Sequence, residues 1–183
     1  MRPHRDTADR ARWPLLPVAG VVLAGLSACS PGLDWRVLPL GAVGAEVMMP
    51  CKPESASREL MWAGQPQRLN MRSCEQQGVT FAVAWMSFAR TDQAVAAVAE
   101  WRAASQRSAQ VQGATEPQAW AVPGALMAQR WQGGGQREGG PALNVTLGHA
   151  VFGAHVVQLA TYAPAESTLS LSTFWEGLAK SRR

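Results

Sequence analysis

Side chains able to do acid–base, nucleophilic or metal chemistry are few and scattered in this sequence. Beyond residue 28 there are two histidines, His149 and His155, in a stretch that alternates like a strand. A metal or catalytic pair must converge on one point. If Gly153-Ala154 is a two-residue turn with glycine first, Phe152 faces His155, and the two imidazoles project from opposite sides of the sheet. Neither G-x-S-x-G nor H-E-x-x-H occurs, so no nucleophile elbow or zinc helix is announced. Glu100 and Glu116 could act as a general base only if folding brings each a partner. The run Gly133 to Pro141 (GGGQREGGP) has the glycine content of a phosphate cradle, but no Lys-Ser/Thr follows and strand-like alternation comes next. A flexible hairpin tip is expected there. No enzyme activity, cofactor or metal is expected.

Chemistry of another kind stands at the N-terminus. Arg2, Arg5, Arg10 and Arg12 precede an apolar run from Pro14 to Ala28 that ends Leu26-Ser27-Ala28-Cys29. As a helix this run is too short for about 30 Å of hydrocarbon, and a basic start with small residues at the end reads as a secretory signal. Pro14 and Pro17 disfavour a core helix. Leu26 to Cys29 resembles the lipobox of bacterial lipoproteins. That resemblance implies cleavage before Cys29, a diacylglycerol on its thiol and a palmitate-type chain on the new amine. Several chains, at about 0.8 kcal/mol per buried methylene, hold a protein on a membrane where one does so only marginally. Arg10-Ala11-Arg12 is not a twin-arginine pair, so export of an unfolded chain is expected. Ser30, where an aspartate is absent, implies sorting to the periplasmic face of the outer membrane, with the inner membrane as second choice.

Residues 1–28 are thus a signal peptide. Their removal takes four arginines and two aspartates from a chain of net charge +4, leaving thirteen basic and eleven acidic side chains. Three of those positives are Lys180, Arg182 and Arg183, so the body is nearly neutral and nucleic acid is not an expected partner. Cys51 and Cys74 remain as an even pair in an oxidising compartment, and a structural disulfide is expected. With no C-x-x-C and two thiols only, a redox or zinc site is the weaker alternative.

These groups need a frame. The 183 residues, 47% hydrophobic and 16% charged, suit one ordinary domain and exclude disorder or a coiled coil. Residues 29–44 read as a lipidated tether, of which Trp35 to Leu38 could already dock, and residues 45–183 as a single domain. Ala45 to Met49 reads as a strand stopped by Pro50, and Arg58 to Trp62 with Arg68 to Glu75 as a hairpin around Gly64. Val79 to Phe88, apolar on both faces, reads as a central strand. Thr91-Asp92 opens a helix to about Ser105, with Ala94, Val98 and Trp101 on one stripe. Gln106 to Gly124 reads as a loop, and Leu126 to Trp131 as a strand. Leu143 to Phe152 and His155 to Tyr162 form the hairpin already described. Leu171, Phe174, Trp175 and Leu178 then predict an amphipathic C-terminal helix with a basic end. The sum is an α+β domain, an antiparallel β-sheet covered by two main helices.

This order, with MPCKP, CEQQGVTFAVAW, TDQAVAAVAEW, HVVQLATY and STFWEGL along it, resembles PsbP-like sandwich domains, and among them small proteobacterial lipoproteins. The resemblance implies a non-enzymatic domain that assists or binds another protein, and it carries over no catalytic residue. Tryptophan is the unusual feature, with seven beyond the signal. Trp85, Trp101 and Trp175 fall on apolar faces and read as core, whereas Trp62, Trp120 and Trp131 stand where an indole could anchor a partner. The expected function is a non-catalytic, lipid-anchored cell-envelope module for protein interaction or assembly. A periplasmic carrier of a small molecule or lipid is the alternative; a cavity of a few hundred cubic ångströms lined by Met and Trp would favour it.

Overall fold

The computed structural model describes residues 32–136 and 140–181. Residues 1–31, on which the readings of a signal peptide, a lipobox at Cys29 and the start of a tether fall, residues 137–139 of the glycine-rich run and the final two arginines lie outside the described residues.

Strand β1 (Arg36–Pro39) leads through a 3-10 turn at Gly41–Val43 to β2 (Ala45–Met49), and the two pair antiparallel. Gly44, at φ 65°, occupies the left-handed region that ends the turn. The segment read as a tether therefore contributes a strand, and Trp35 and Leu38 pack against the core. A meander of β3 (Glu54–Trp62), β4 (Gln65–Gln76) and β5 (Val79–Ser87) precedes helix α1 (Thr91–Ser108). Then come β6 (Gln118–Ala119), β7 (Met127–Gln136), β8 (Ala142–Phe152) and β9 (His155–Pro164), followed by a short helix α2 (Ser172–Glu176) and β10 (Ala179–Lys180). One sheet has seven strands in the order β3-β4-β5-β9-β8-β7-β6; the other has three, β1-β2-β10.

The expectation of one sheet covered by two main helices is corrected. Among the described residues strands account for 51% and helix for 18%, all pairings within the two sheets are antiparallel, and only α1 is a substantial helix. The physical reason lies at the C-terminus. Phe174, Trp175 and Leu178 are buried as their spacing requires. The helix nonetheless stops at Glu176, because the chain must squeeze past β2: a Cβ on Gly177 would meet Met48 Cβ at 2.5 Å. Beyond it Ala179 and Lys180 pair with Glu46 and Ala45 of β2. The apolar stripe is thus satisfied by one short helix and a strand.

The large sheet is covered on both faces. Ala94, Ala97, Val98 and Trp101, one stripe of α1, pack on Ala84 and Met86 of β5, Val151 of β8 and Val156 of β9. On the far face, Phe81, Val83, Val157 and Leu159 meet Val47 and Met49 of the small sheet and Phe174, Trp175 and Leu178. The β8–β9 hairpin has the expected register, with Phe152 opposite His155, and Gly153 at φ 56° begins its turn. At the start of α1, the Gln93 side chain accepts the Arg90 N–H at 3.2 Å, so the N-cap is Arg90 rather than Thr91 or Asp92. Hydrogen bonds from the Arg90 guanidinium hold the Asp92 carboxyl down to about 2. Among the described residues no helix is long and apolar enough to cross a membrane.

Cys51 and Cys74 are disulfide-bonded, with α-carbons 6.0 Å apart. Cys51 follows β2 and Cys74 lies in β4 opposite Phe81, so the bridge ties the small sheet to the far face of the large one. Closing a loop of 23 residues' separation restricts the unfolded chain. Reduction is expected to lower unfolding free energy by about 3 kcal/mol. Urea titration with and without reductant checks this; an unchanged midpoint contradicts it.

Candidate functional site

The β3–β4 hairpin closes through Ala63 and Gly64, at φ 47° and 75°, the two positive values of a type I′ turn. Its strands run long, but α1 packs over β8 and β9. The helix-side face of the hairpin is therefore left with its own apolar side chains, Leu60, Leu69 and Met71, beside the helix rather than under it. Trp62 leans from the end of β3 to meet Trp101 of α1 edge to face, centroids 6.4 Å apart. Between hairpin and helix lies a groove of about 240 Å³, floored by Met86 and Ala84 and walled by Leu60, Met71 and Trp101. A second hollow of about 210 Å³ opens on the other side of Trp62, against Phe88 and Ala97.

A polar line runs into the core behind this groove. Gln158 Nε2 on β9 lies 2.7 Å from Ser105 Oγ on α1 and 2.9 Å from His149 Nε2 on β8. The amide's two N–H groups donate to both, which leaves the imidazole as its Nδ1–H tautomer. His149 is fully buried, its ring edge-on to Trp101 at 5.7 Å. Burial, with Arg102 as the lesser cause, pushes its pKa down to about 3. Its Nδ1 has no hydrogen-bond partner among the described residues. A neutral, sealed imidazole holds α1 to the sheet and is not placed for proton transfer to a substrate. His155 is on the opposite face, its Nδ1 2.8 Å from Ser87 Oγ. The two histidines are separated by the sheet, as their spacing predicted, and no group of three His, Cys, Asp or Glu among the described residues could hold a metal.

The three tryptophans expected to offer a partner surface do not form one. Trp62 and Trp120 are each half-buried, on opposite faces of the large sheet, with Trp120 edge to face with Trp175 at 5.4 Å. Trp131 is corrected outright, for it is 1% exposed and belongs to the core with Leu143, Val145 and Leu147. The sequence placed it at the end of a strand, but β7 continues through Gly133, Gly134 and Gly135 to Gln136, which makes position 131 central. Those glycines are not a loose tip. A Cβ on Gly133 would meet Val111 Cγ1 at 2.5 Å, and one on Gly135 would meet Val145 Cγ2 at 2.6 Å, so their absent side chains let the segment after α1 press on the strand. The hairpin face of Leu60, Leu69 and Met71 was missed. Leu69 and Met71 alternate with Arg68, Asn70 and Arg72, but nothing in that local pattern shows how far α1 reaches across the face.

No protein-family model, curated protein or solved structure matches this chain.

His149 makes the fold sensitive to acid. An unfolded histidine takes up a proton near its ordinary value of about 6.5, whereas this one resists down to about 3 in the folded protein. The unfolded state binds more protons in that window, so stability is complete above the ordinary value and falls as pH drops through it. Urea midpoints measured from pH 7.5 to 4.5 should decline, and His149→Gln should flatten the decline; parallel curves for the two proteins would refute the assignment.

Proposed function

We propose that this protein is a non-catalytic, lipid-anchored component of a bacterial cell envelope, an interaction or assembly-accessory module that docks a partner protein on the hairpin face beside α1. The anchor is read from Leu26-Ser27-Ala28-Cys29, with lipidation at Cys29 and Ser30 favouring the periplasmic face of the outer membrane. The observation that carries the docking surface is the mainly apolar groove between Leu60, Met71 and Trp101, with Arg58 and Gln158 also in its lining. Trp62 stands at its mouth, between the groove and the second hollow.

Two features shape the partner. At about 240 Å³ the groove falls below the roughly 300–1,000 Å³ of sites that enclose a small molecule, and is suited to one large apolar side chain of another protein. Met71, Met86, Trp62 and Trp101 line the space as the carrier reading requires, and its small volume is what favours a partner's side chain over an enclosed ligand. Next to the groove, β3 is the outermost strand of the seven-stranded sheet, so its outward backbone groups can receive a partner's extended segment. Nearly balanced charge gives nucleic acid little purchase.

The anchor is tested by intact mass. Native protein should begin at a triacylated Cys29, and Cys29→Ser should accumulate as precursor; an unprocessed Met1 product contradicts the anchor. The surface is tested by a photoreactive amino acid at Met71, 39% exposed, with Val37, 57% exposed on the small sheet, as control. A discrete adduct should form in intact envelopes from position 71 only, and Leu69→Ala in the same chain should weaken it while the protein still unfolds in a single cooperative urea transition. Equal labelling from both positions would sink the surface.

A further inference from the structure

The face of the large sheet away from α1 carries a further hollow, chemically unlike the two beside the helix. Here β7 and β8 present a ladder in which Arg130 faces Gly148, Gln132 faces Thr146 and Gly134 faces Asn144. Glycines at two diagonal corners make room. At Gly148 the room is taken: a Cβ there would meet Trp175 at 2.8 Å and Trp120 at 2.9 Å, so the two indoles lie directly on the strand. At Gly134 it is left open, the nearest atom to a Cβ being Gln112 O at 3.8 Å. The result is a cleft in two halves of about 520 and 480 Å³ that share Gln132, Thr146 and Leu171. Each half lies within the range of small-ligand sites, as the hairpin groove does not.

The lining selects a ligand class. Its floor is amide and hydroxyl. Asn144 gives Nδ2 to Ala165 O at 3.3 Å and keeps Oδ1 as an acceptor, while the exposed amide of Gln132 can donate and accept. Arg130 holds its guanidinium 5.5 Å from the Trp175 ring centroid, and Glu176 stands on the same wall, so the cleft carries one charge of each sign and favours neither anion nor cation. Thr161 pairs with Thr146 across β8 and β9; it is fully buried, and its Oγ1 has no hydrogen-bond partner among the described residues. It lies beneath the cleft and lines neither half, so the hydroxyl and amide groups a ligand can reach are those of Gln132, Asn144 and Thr146. Trp120 adds a half-buried indole at the wall. A ligand that matches must be uncharged, rich in groups that both donate and accept, and apolar on one flat side.

We propose that this cleft binds a neutral saccharide, Trp120 lying against a ring face and Gln132, Asn144 and Thr146 hydrogen-bonding its hydroxyls. The site is on the opposite face from the hairpin groove and stands or falls independently of it.

The test titrates the full-length lipidated protein in detergent with maltotriose, cellotriose and triacetylchitotriose, read by saturation-transfer NMR. Co-sedimentation with insoluble cellulose and chitin runs in parallel, to separate recognition of a free sugar from recognition of a polymer. At least one of these should bind saturably. Gln132→Ala, at an exposed position, should weaken binding about tenfold, the effect of one good hydrogen bond, Trp120→Ala should abolish it, and Leu69→Ala in the other groove should leave it unchanged. Absence of saturable binding to every probe overturns the proposal. So does wild-type affinity in Gln132→Ala.

Discussion

On β5, Val79, Phe81 and Val83 point one way and Ala82, Ala84 and Met86 the other, and all six are buried. β9 repeats the arrangement beside it, with Val157 and Leu159 against Val156 and Ala160. A sheet whose middle is apolar on both faces needs two covers, because water on either side would undo the burial that holds it. One cover is α1. The other is assembled from pieces that could not stand alone: a three-stranded sheet, one short helix and the disulfide from Cys51 to Cys74. That need explains why residues 36–39 form a strand instead of a tether, and why the C-terminal apolar stripe breaks at Gly177 to return as β10.

The covers are unequal to the sheet, and the hairpin groove and the polar cleft lie where they end. α1 lies over β5, β8 and β9 and covers the β3–β4 hairpin only along Leu60, Trp62 and Leu69, with Met71 left exposed. On the far face, the small sheet and α2 leave the Arg130, Gln132 and Asn144 end of β7 and β8 open. The uncovered regions differ as their residues do: leucine and methionine face the helix side, amides and hydroxyls the other. Apolar surface beside a free sheet edge suits another protein, and a polar cleft with an indole suits a small polar ligand. Behind the first groove, His149 and Gln158 join β8, β9 and α1 through one buried hydrogen-bonded line, so the position of the helix rests on a histidine that stays neutral.

Much of the frame was legible because its signals are local. Two-sided apolarity identified β5, alternation and Gly153-Ala154 set the β8–β9 register, and the spacing of Ala94, Val98 and Trp101 gave α1. What failed depended on distant contacts. The i, i+3, i+4, i+7 pattern of Leu171 to Leu178 states which side chains are buried, not that the backbone stays helical while passing Met48. Trp131 sits before three glycines that look like a loop until Val111 and Val145 are seen pressing on them. For the candidate surface, Trp62 was visible as an indole at a strand end, but the apolar face around it came from the length of β3 and the lateral placement of α1. Neither is written in any short window of sequence.

The proposed docking surface requires that the exposed Met71 edge of the hairpin face be open in the isolated protein and covered in its working place. Oxidative footprinting of the methionines measures this in one experiment. In purified protein, Met61 and Met71, 68% and 39% exposed, should oxidise readily while Met49 and Met86, at 0% and 1%, stay protected. In intact envelopes Met71 should become protected and Met61, on the hairpin's other side, should keep its reactivity. Oxidation of Met71 at the same rate in both preparations would contradict the account.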